Sequence, residues 1–181
     1  MDKKFQYRLS KDMKSEIAQN LIDILKEDAT ITKETRRFIG NWILTGPEEK
    51  RKAFFDVWDI VLKNYLPRTR PVLFRACKRI SKKGKIASFT GRLECAKRIS
   101  EGRDSLLICD TKEALEFEEE LYKIGEYRNT FYPLAGVLIK ARDRGGCGFP
   151  DRLFNYICED EYLMRVSLKN MHSFRWIKKD M

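Results

Sequence analysis

The feature of this sequence that most constrains its fold is a change of hydrophobic period at Leu66-Pro67. Before that point apolar residues recur every three or four positions, which predicts three amphipathic helices. Ser10 and Thr32 are suited to cap the first two, and Pro47 with the two glutamates that follow it is expected to open the third. We therefore predict a helical N-terminal region over residues 1–66.

After the period change, short apolar runs bounded by turn residues predict β-strands. The expected strands cover residues 71–77, 84–91, 105–109, 133–139, 159–166 and 167–177. Helices are expected between them over residues 92–100 and 112–126, the first with Leu93, Ala96 and Ile99 turned inward. The predicted fold class is α+β, and the chain is long enough to form one compact domain with a single good core.

Composition limits the chemistry that the chain can perform. Its 37 basic residues against 27 acids give a net charge of +10, which favours nucleic acid, acidic partners or anionic surfaces without choosing between them. Five cysteines without a CxxC pair predict neither a disulfide framework nor a zinc site, and favour a reducing cytoplasm. His172 is the only histidine, so Ser/His/Asp, Cys/His and multi-histidine metal chemistry are excluded. No apolar run has the length of a signal peptide or membrane span, so we expect a soluble protein that uses carboxylates if it is an enzyme.

Three acids, Glu159-Asp160-Glu161, open the fifth expected strand. In a strand the two glutamates would share one face, and a bare Glu-x-Glu is most often a solvated strand end. Two upstream features favour a site instead. Arg75 interrupts an apolar strand, where it either pairs with an anion or extends to solvent, and the hydroxyls of Ser88 and Thr90 share a face of the next strand. The glycine-rich stretch 142–150 lacks the residues of a P-loop or a Rossmann motif.

Taken in chain order, the arginine, hydroxyl and Glu-x-Glu motifs resemble the Arg/Ser-Thr-Ser/Glu-x-Glu class of mono-ADP-ribosyltransferases. The resemblance covers about residues 67–177 and consists of Leu73-Phe74-Arg75-Ala76, Ala87-Ser88-Phe89-Thr90 and the segment Glu159–Met164. It implies that residues 67–181 form a catalytic core of two small, mostly antiparallel sheets flanking an NAD cleft, with the helical region packed on them. A small, stand-alone member resembles effector enzymes of bacteriophages and bacteria, which implies a host protein in the bacterial cytoplasm as the target.

The resemblance also implies a role for each acid and for the arginine. Glu161 would stabilise the oxocarbenium-like charge that develops when the nicotinamide–ribose bond breaks. Glu159 would assist the incoming nucleophile, which is expected to be an arginine side chain because a guanidinium needs a neighbouring carboxylate to take up its proton or orient it. Arg75 would hold the pyrophosphate of NAD, and Ser88 would hold Glu161 and the nicotinamide ribose.

The resemblance also implies contacts for a threonine and for aromatic residues. Thr90 is expected beside the cofactor, and Phe149, Phe154 or Tyr156 would stack on nicotinamide or on the target. The sequence departs from the family pattern at Phe89 and Thr90, and at Ala76, where glycine is usual. Two alternatives therefore stay open: a catalytically inactive relative that acts by binding, and a basic nucleic-acid-binding domain. The charge also suggests a target within a nucleic-acid-associated complex.

Overall fold

A computed structural model describes residues 7–46, 49–79, 85–101, 104–116, 123–124, 130–166 and 171–176. The helices are α1 Lys11–Glu27, α2 Lys33–Leu44, α3 Lys52–Asn64, α4 Leu93–Ser100, α5 Thr111–Ala114 and α6 Leu134–Asp143, with a 3-10 helix over Asp151–Glu159. The strands are β1 Val72–Cys77, β2 Ile86–Thr90, β3 Ser105–Asp110, β4 Phe131–Pro133, β5 Glu161–Arg165 and β6 His172–Arg175. The predicted α+β class is confirmed. None of the described helices is both long enough and apolar enough to cross a membrane.

The first two helices begin where the sequence predicts. The side chains of Ser10 and Thr32 each accept a hydrogen bond from a backbone N–H three residues later, at 3.2 Å, which satisfies a free donor of the first turn. The predicted start of the third helix is wrong. Helix α3 begins at Lys52, with Arg51 at the N-cap and no side-chain cap, and residues 47–48 lie outside the described part of the chain.

The described strands form one antiparallel sheet in the order β4-β5-β2-β1-β3-β6, where two sheets were expected. The sheet is weakest at its centre. Strand β1 pairs with β3 through six residue pairs and β2 pairs with β5 through five, but β1 and β2 share the single pair Phe74–Thr90. The strands thus make two three-stranded halves that meet at one point.

The two faces of the sheet carry separate apolar clusters. The larger cluster joins the aromatic residues of α2 and α3, among them Phe38 and Trp58, to Ile86, Tyr132 and Leu163 of the strands. It therefore spans the predicted boundary at residue 66 and ties the helical region to the sheet. The smaller cluster covers the opposite face, as expected from the alternation of side chains along a strand.

The predicted strand over 133–139 is also wrong. Strand β4 ends at Pro133, and helix α6 begins at Leu134. The buried residues of this helix recur at helical spacing: Leu134, Ala135, Val137, Leu138 and Ala141. A short apolar run fits either structure by pattern alone, and here packing against α1 and the 3-10 helix selects the helix.

The remaining predictions are met in part. Helix α4 has the expected bounds and buries Ala96, but Leu93 and Ile99 are 41% and 65% exposed. Of the helix expected over 112–126, residues 117–122 and 125–126 lie outside the described residues, and α5 ends at Ala114. The last expected strand is present as β6, while residues 167–170 and 177 are not described.

Candidate functional site

A cavity of about 350 Å³ lies between the end of α2, strands β1 and β2, and helix α4. Six of the residues predicted from the sequence line it: Arg75, Ser88, Thr90, Tyr156, Glu159 and Glu161. They come from β1, β2, the 3-10 helix and the start of β5. The cavity has the size of a small-molecule site and opens beside the point where β1 and β2 separate.

Glu161 is the first residue of β5, opposite Thr90 in β2. One carboxylate oxygen, Oε1, accepts two hydrogen bonds: from the hydroxyl of Ser88 at 2.5 Å and from the indole Nε1 of Trp42 at 3.1 Å. Within the described part of the chain the other oxygen, Oε2, accepts none. The carboxylate is therefore held on one side and leaves its second oxygen for a ligand in the cavity.

Arg75 is a half-buried cation on the same cavity. Its Nη1 donates to the backbone carbonyl of Ser88 at 2.6 Å, and its Cζ lies 6.0 Å from the ring centroid of Phe89. Burial lowers the pKa of Arg75, but a guanidinium remains charged at neutral pH. No carboxylate of the described residues forms an ion pair with it. Because buried charges are normally paired, Arg75 is suited to receive an anionic ligand.

Lys50 is a second cation of the cavity, and neither it nor Trp42 was predicted as a site residue. Its Nζ lies 3.5 Å from the centroid of the Trp42 ring, in a cation–π contact. Burial lowers the pKa of Lys50; the carboxylate of Glu161 opposes this shift and the charge of Arg75 adds to it. The sequence gives no signal for this contact, since Trp42 belongs to the apolar face of α2 and resembles any core residue.

The hydroxyl of Thr90 stabilises the backbone next to Glu161. It donates to the carbonyl of Glu159 at 2.6 Å and accepts from the backbone N–H of Arg92 at 3.0 Å. Thr90 is only 7% exposed. Thr90 lines the cavity, but its hydroxyl makes hydrogen bonds within the turn that precedes β5. The contact with the cofactor that was predicted for Thr90 would need a different use of this hydroxyl.

The turn before Glu161 also depends on a glycine. Asp160 has left-handed backbone angles, φ 46° and ψ 56°, and its carbonyl accepts a hydrogen bond from the N–H of Gly91 at 3.0 Å. The Asp160 carboxylate lies against Gly91 where a side chain would begin, so any larger residue at 91 would have to displace it. Burial raises the pKa of this carboxyl group.

The predicted strand geometry of the two glutamates is wrong. Glu159 ends the 3-10 helix and Asp160 turns the chain, so the two acids do not alternate along one strand. Glu159 nevertheless reaches the same cavity, where its Oε1 lies 3.8 Å from Nη2 of Arg98. Both side chains of this pair are well exposed, at 41% and 63%, so the ion pair is weak.

Of the three candidate stacking aromatics, the cavity is lined by Tyr156. Phe149 is 6% exposed and its ring packs edge-on against Phe154, with centroids 6.2 Å apart. Phe149 belongs to the larger apolar cluster, Phe154 packs against it, and neither lines the cavity. Their stacking on nicotinamide or on the target stays a prediction.

No family model, curated protein or solved structure matches this chain. Within the described residues, no group of three or more His, Cys, Asp or Glu side chains is placed to hold a metal ion.

Proposed function

We propose that this protein is an NAD-dependent mono-ADP-ribosyltransferase that modifies a macromolecular target. The observation that carries the proposal is Glu161: one oxygen is fixed by Ser88 and Trp42, and the other accepts no hydrogen bond from the described residues. Arg75, a cation that forms no ion pair within the described part of the chain, lines the same cavity. A carboxylate and a desolvated guanidinium on one wall suit a ligand that is cationic at one end and anionic at the other. NAD is such a ligand, with its pyridinium-bearing ribose and its pyrophosphate.

The chemistry follows from these charges. As the bond between nicotinamide and C1 of the ribose breaks, its electron pair leaves with nicotinamide and positive charge grows on the sugar. Glu161 stabilises that charge at a short distance and in a partly desolvated site, where the interaction is stronger than in water. Arg75 and Lys50 supply two cations for the two phosphates.

Glu159 is proposed to serve the acceptor. It lies at the exposed side of the cavity, and its neighbour Arg98 is a guanidinium at 3.8 Å. An acceptor arginine that replaced Arg98 there would meet a carboxylate able to orient it and take its proton as the new bond to C1 forms. We therefore propose arginine as the modified side chain, on a host protein inside a bacterial cell. The net charge of +10 favours an acidic or nucleic-acid-associated target.

The proposal is tested with the purified protein, NAD labelled in its adenylate part, and a bacterial lysate. We expect release of nicotinamide and transfer of label to protein, with peptide mapping to arginine. Glu161→Gln is expected to lose both activities and Arg75→Ala to weaken NAD binding. Glu16→Gln, an exposed change on α1, serves as the matched control and is expected to retain them. Nicotinamide release that is absent from the wild type, or equal in all three variants, would overturn the proposal.

Two observations favour the two alternative functions, which are binding of nucleic acid and binding without catalysis. Exposed basic residues follow β1 at Lys78 and Arg79, which favours binding of nucleic acid. Phe89 is 2% exposed and offers no hydroxyl, and that of Thr90 is used in the turn, which favours an inactive relative. Salt-dependent binding of nucleic acid without NAD turnover would support the first alternative. Binding of NAD without release of nicotinamide would support the second.

A further inference from the structure

We propose that Trp42 is a positioning residue for Glu161: its indole N–H fixes the carboxylate so that the unbonded oxygen Oε2 faces the sugar of a bound dinucleotide. The inference rests on the function proposed above. It assigns part of the reacting geometry to the helical N-terminal region, because Trp42 belongs to α2 and lies 119 residues from Glu161 in the sequence.

The indole ring is held on several sides. Trp42 is 1% exposed, and its ring meets those of Phe54, Phe55 and Trp58 edge-on, with centroids 5.7, 6.0 and 5.6 Å apart. The Nζ of Lys50 lies over the ring at 3.5 Å. The direction of the N–H is therefore set by packing, and it points at Oε1 of Glu161 at 3.1 Å.

The indole N–H of Trp42 is a donor of fixed direction, which the hydroxyl of Ser88 is not. The hydroxyl of Ser88 also donates to Oε1, at 2.5 Å, but a hydroxyl rotates about its bond and follows the carboxylate when it turns. An indole N–H has one fixed direction, so two donors converging on Oε1 fix both the position and the plane of the carboxylate. A carboxylate that is already oriented needs no rearrangement as charge develops on the sugar.

The other tryptophans show that burial alone does not produce this bond. The chain has three tryptophans, and the indole Nε1 atoms of Trp58 and Trp176 are buried without a hydrogen-bond partner among the described residues. Only the Trp42 indole, of these three described side chains, has a carboxylate acceptor. Trp58 packs against the Trp42 ring and helps to hold it, whereas Trp176 follows β6 at the edge of the sheet, so Trp176→Phe is the matched control for Trp42→Phe.

The first measurement uses protein with ¹⁵N-labelled indoles and needs no turnover. Each of the three indole N–H signals is assigned by the Trp→Phe variant that removes it. In Glu161→Gln the neutral amide oxygen is a weaker acceptor, so the Trp42 signal is expected to move upfield while those of Trp58 and Trp176 stay in place. An unchanged Trp42 signal would show that the bond is absent and overturn the inference, whatever the activity of the protein.

The second measurement is steady-state release of nicotinamide. Trp42→Phe keeps most of the ring packing and removes one hydrogen bond to a charged group, so kcat is expected to fall about 10-fold with KM for NAD changed less than about 2-fold. Trp176→Phe is expected to keep the wild-type kcat. Equal kcat values for the two variants, or a rise in KM alone, would overturn the positioning role. A wild-type protein that releases no nicotinamide would overturn the proposed function, while the indole signals would still decide whether Trp42 holds Glu161.

Discussion

Glu161→Gln tests the charge at the centre of the cavity while preserving its shape. The amide oxygen of glutamine can still accept from Ser88 at the 2.5 Å position and from Trp42 at the 3.1 Å position, so both bonds that hold the side chain survive. What disappears is the negative charge facing the sugar. Removing one electrostatic contact of this kind costs about 3–4 kcal/mol of transition-state stabilisation, so we expect nicotinamide release to fall by about 10²- to 10³-fold.

Two measurements separate this effect from damage to binding or folding. Calorimetric titration with NAD is expected to give a Kd within about 3-fold of wild type, because the proposed contact with the phosphates is made by Arg75 rather than by Glu161. The thermal midpoint is expected to change by less than about 4 °C, the shift that 1 kcal/mol produces in a domain of this size. A variant that folds, binds NAD and releases nicotinamide within 10-fold of the wild-type rate, or one whose loss lies entirely in Kd, would refute the assignment of Glu161.

Two further predictions concern the surroundings of the cavity, and a third concerns the ion pairs of Asp56 in α3. Glu159→Ala is expected to abolish transfer to protein while slow hydrolysis of NAD persists, since the proposed role of Glu161 beside the sugar is unchanged. If this variant modifies lysate proteins at the wild-type rate, Glu159 does not belong to the acceptor site. Thr90→Val removes the hydroxyl that bridges two backbone groups, so urea unfolding should show a free energy of unfolding lower by about 2 kcal/mol with an unchanged slope. Thr90→Ser keeps the hydroxyl and is the control. A loss below about 0.5 kcal/mol in Thr90→Val would contradict the bridge. Lys14 and Lys52 lower the pKa of Asp56 below its ordinary 3.8, so this carboxylate stabilises the fold above that value and loses its effect as the pH falls through its lower folded value. Asp56→Asn should therefore lower the free energy of unfolding by about 1 kcal/mol at pH 7 and by much less near pH 2; an equal loss at both would exclude the charge as the cause.

The parts of the fold that could be predicted are those fixed by local sequence. The caps Ser10 and Thr32 act on N–H groups three residues away, so their geometry is set within one turn. Strands β1 and β2 follow from short apolar runs between turn residues, and their bounds differ from prediction by one or two residues. Among the residues of these strands that line the cavity, Arg75 is identified because it interrupts an apolar run, and Ser88 and Thr90 because their hydroxyls share one face of an alternating strand.

The features that could not be predicted depend on distant contacts. Trp42 resembles a core residue in sequence, and only the fold brings it to a carboxylate 119 positions away. Glu159 and Glu161 fit a strand by spacing, but the left-handed turn at Asp160 is stabilised from outside by Thr90 and Gly91. Helix α6 depends on packing against α1 and the 3-10 helix, which no local pattern reveals.

The weak centre of the sheet explains why the cavity forms where it does. Continued from the pair Phe74–Thr90, the antiparallel register would place Ala76 opposite Ser88, but no such pair forms. Instead the guanidinium of Arg75 donates to the Ser88 carbonyl, so a side chain satisfies a backbone group that the neighbouring strand leaves free. The strands can then separate without an unpaired carbonyl at that position. The hydroxyl of the same serine holds Glu161, and this one residue thereby joins the cation and the carboxylate at the edge of the opening.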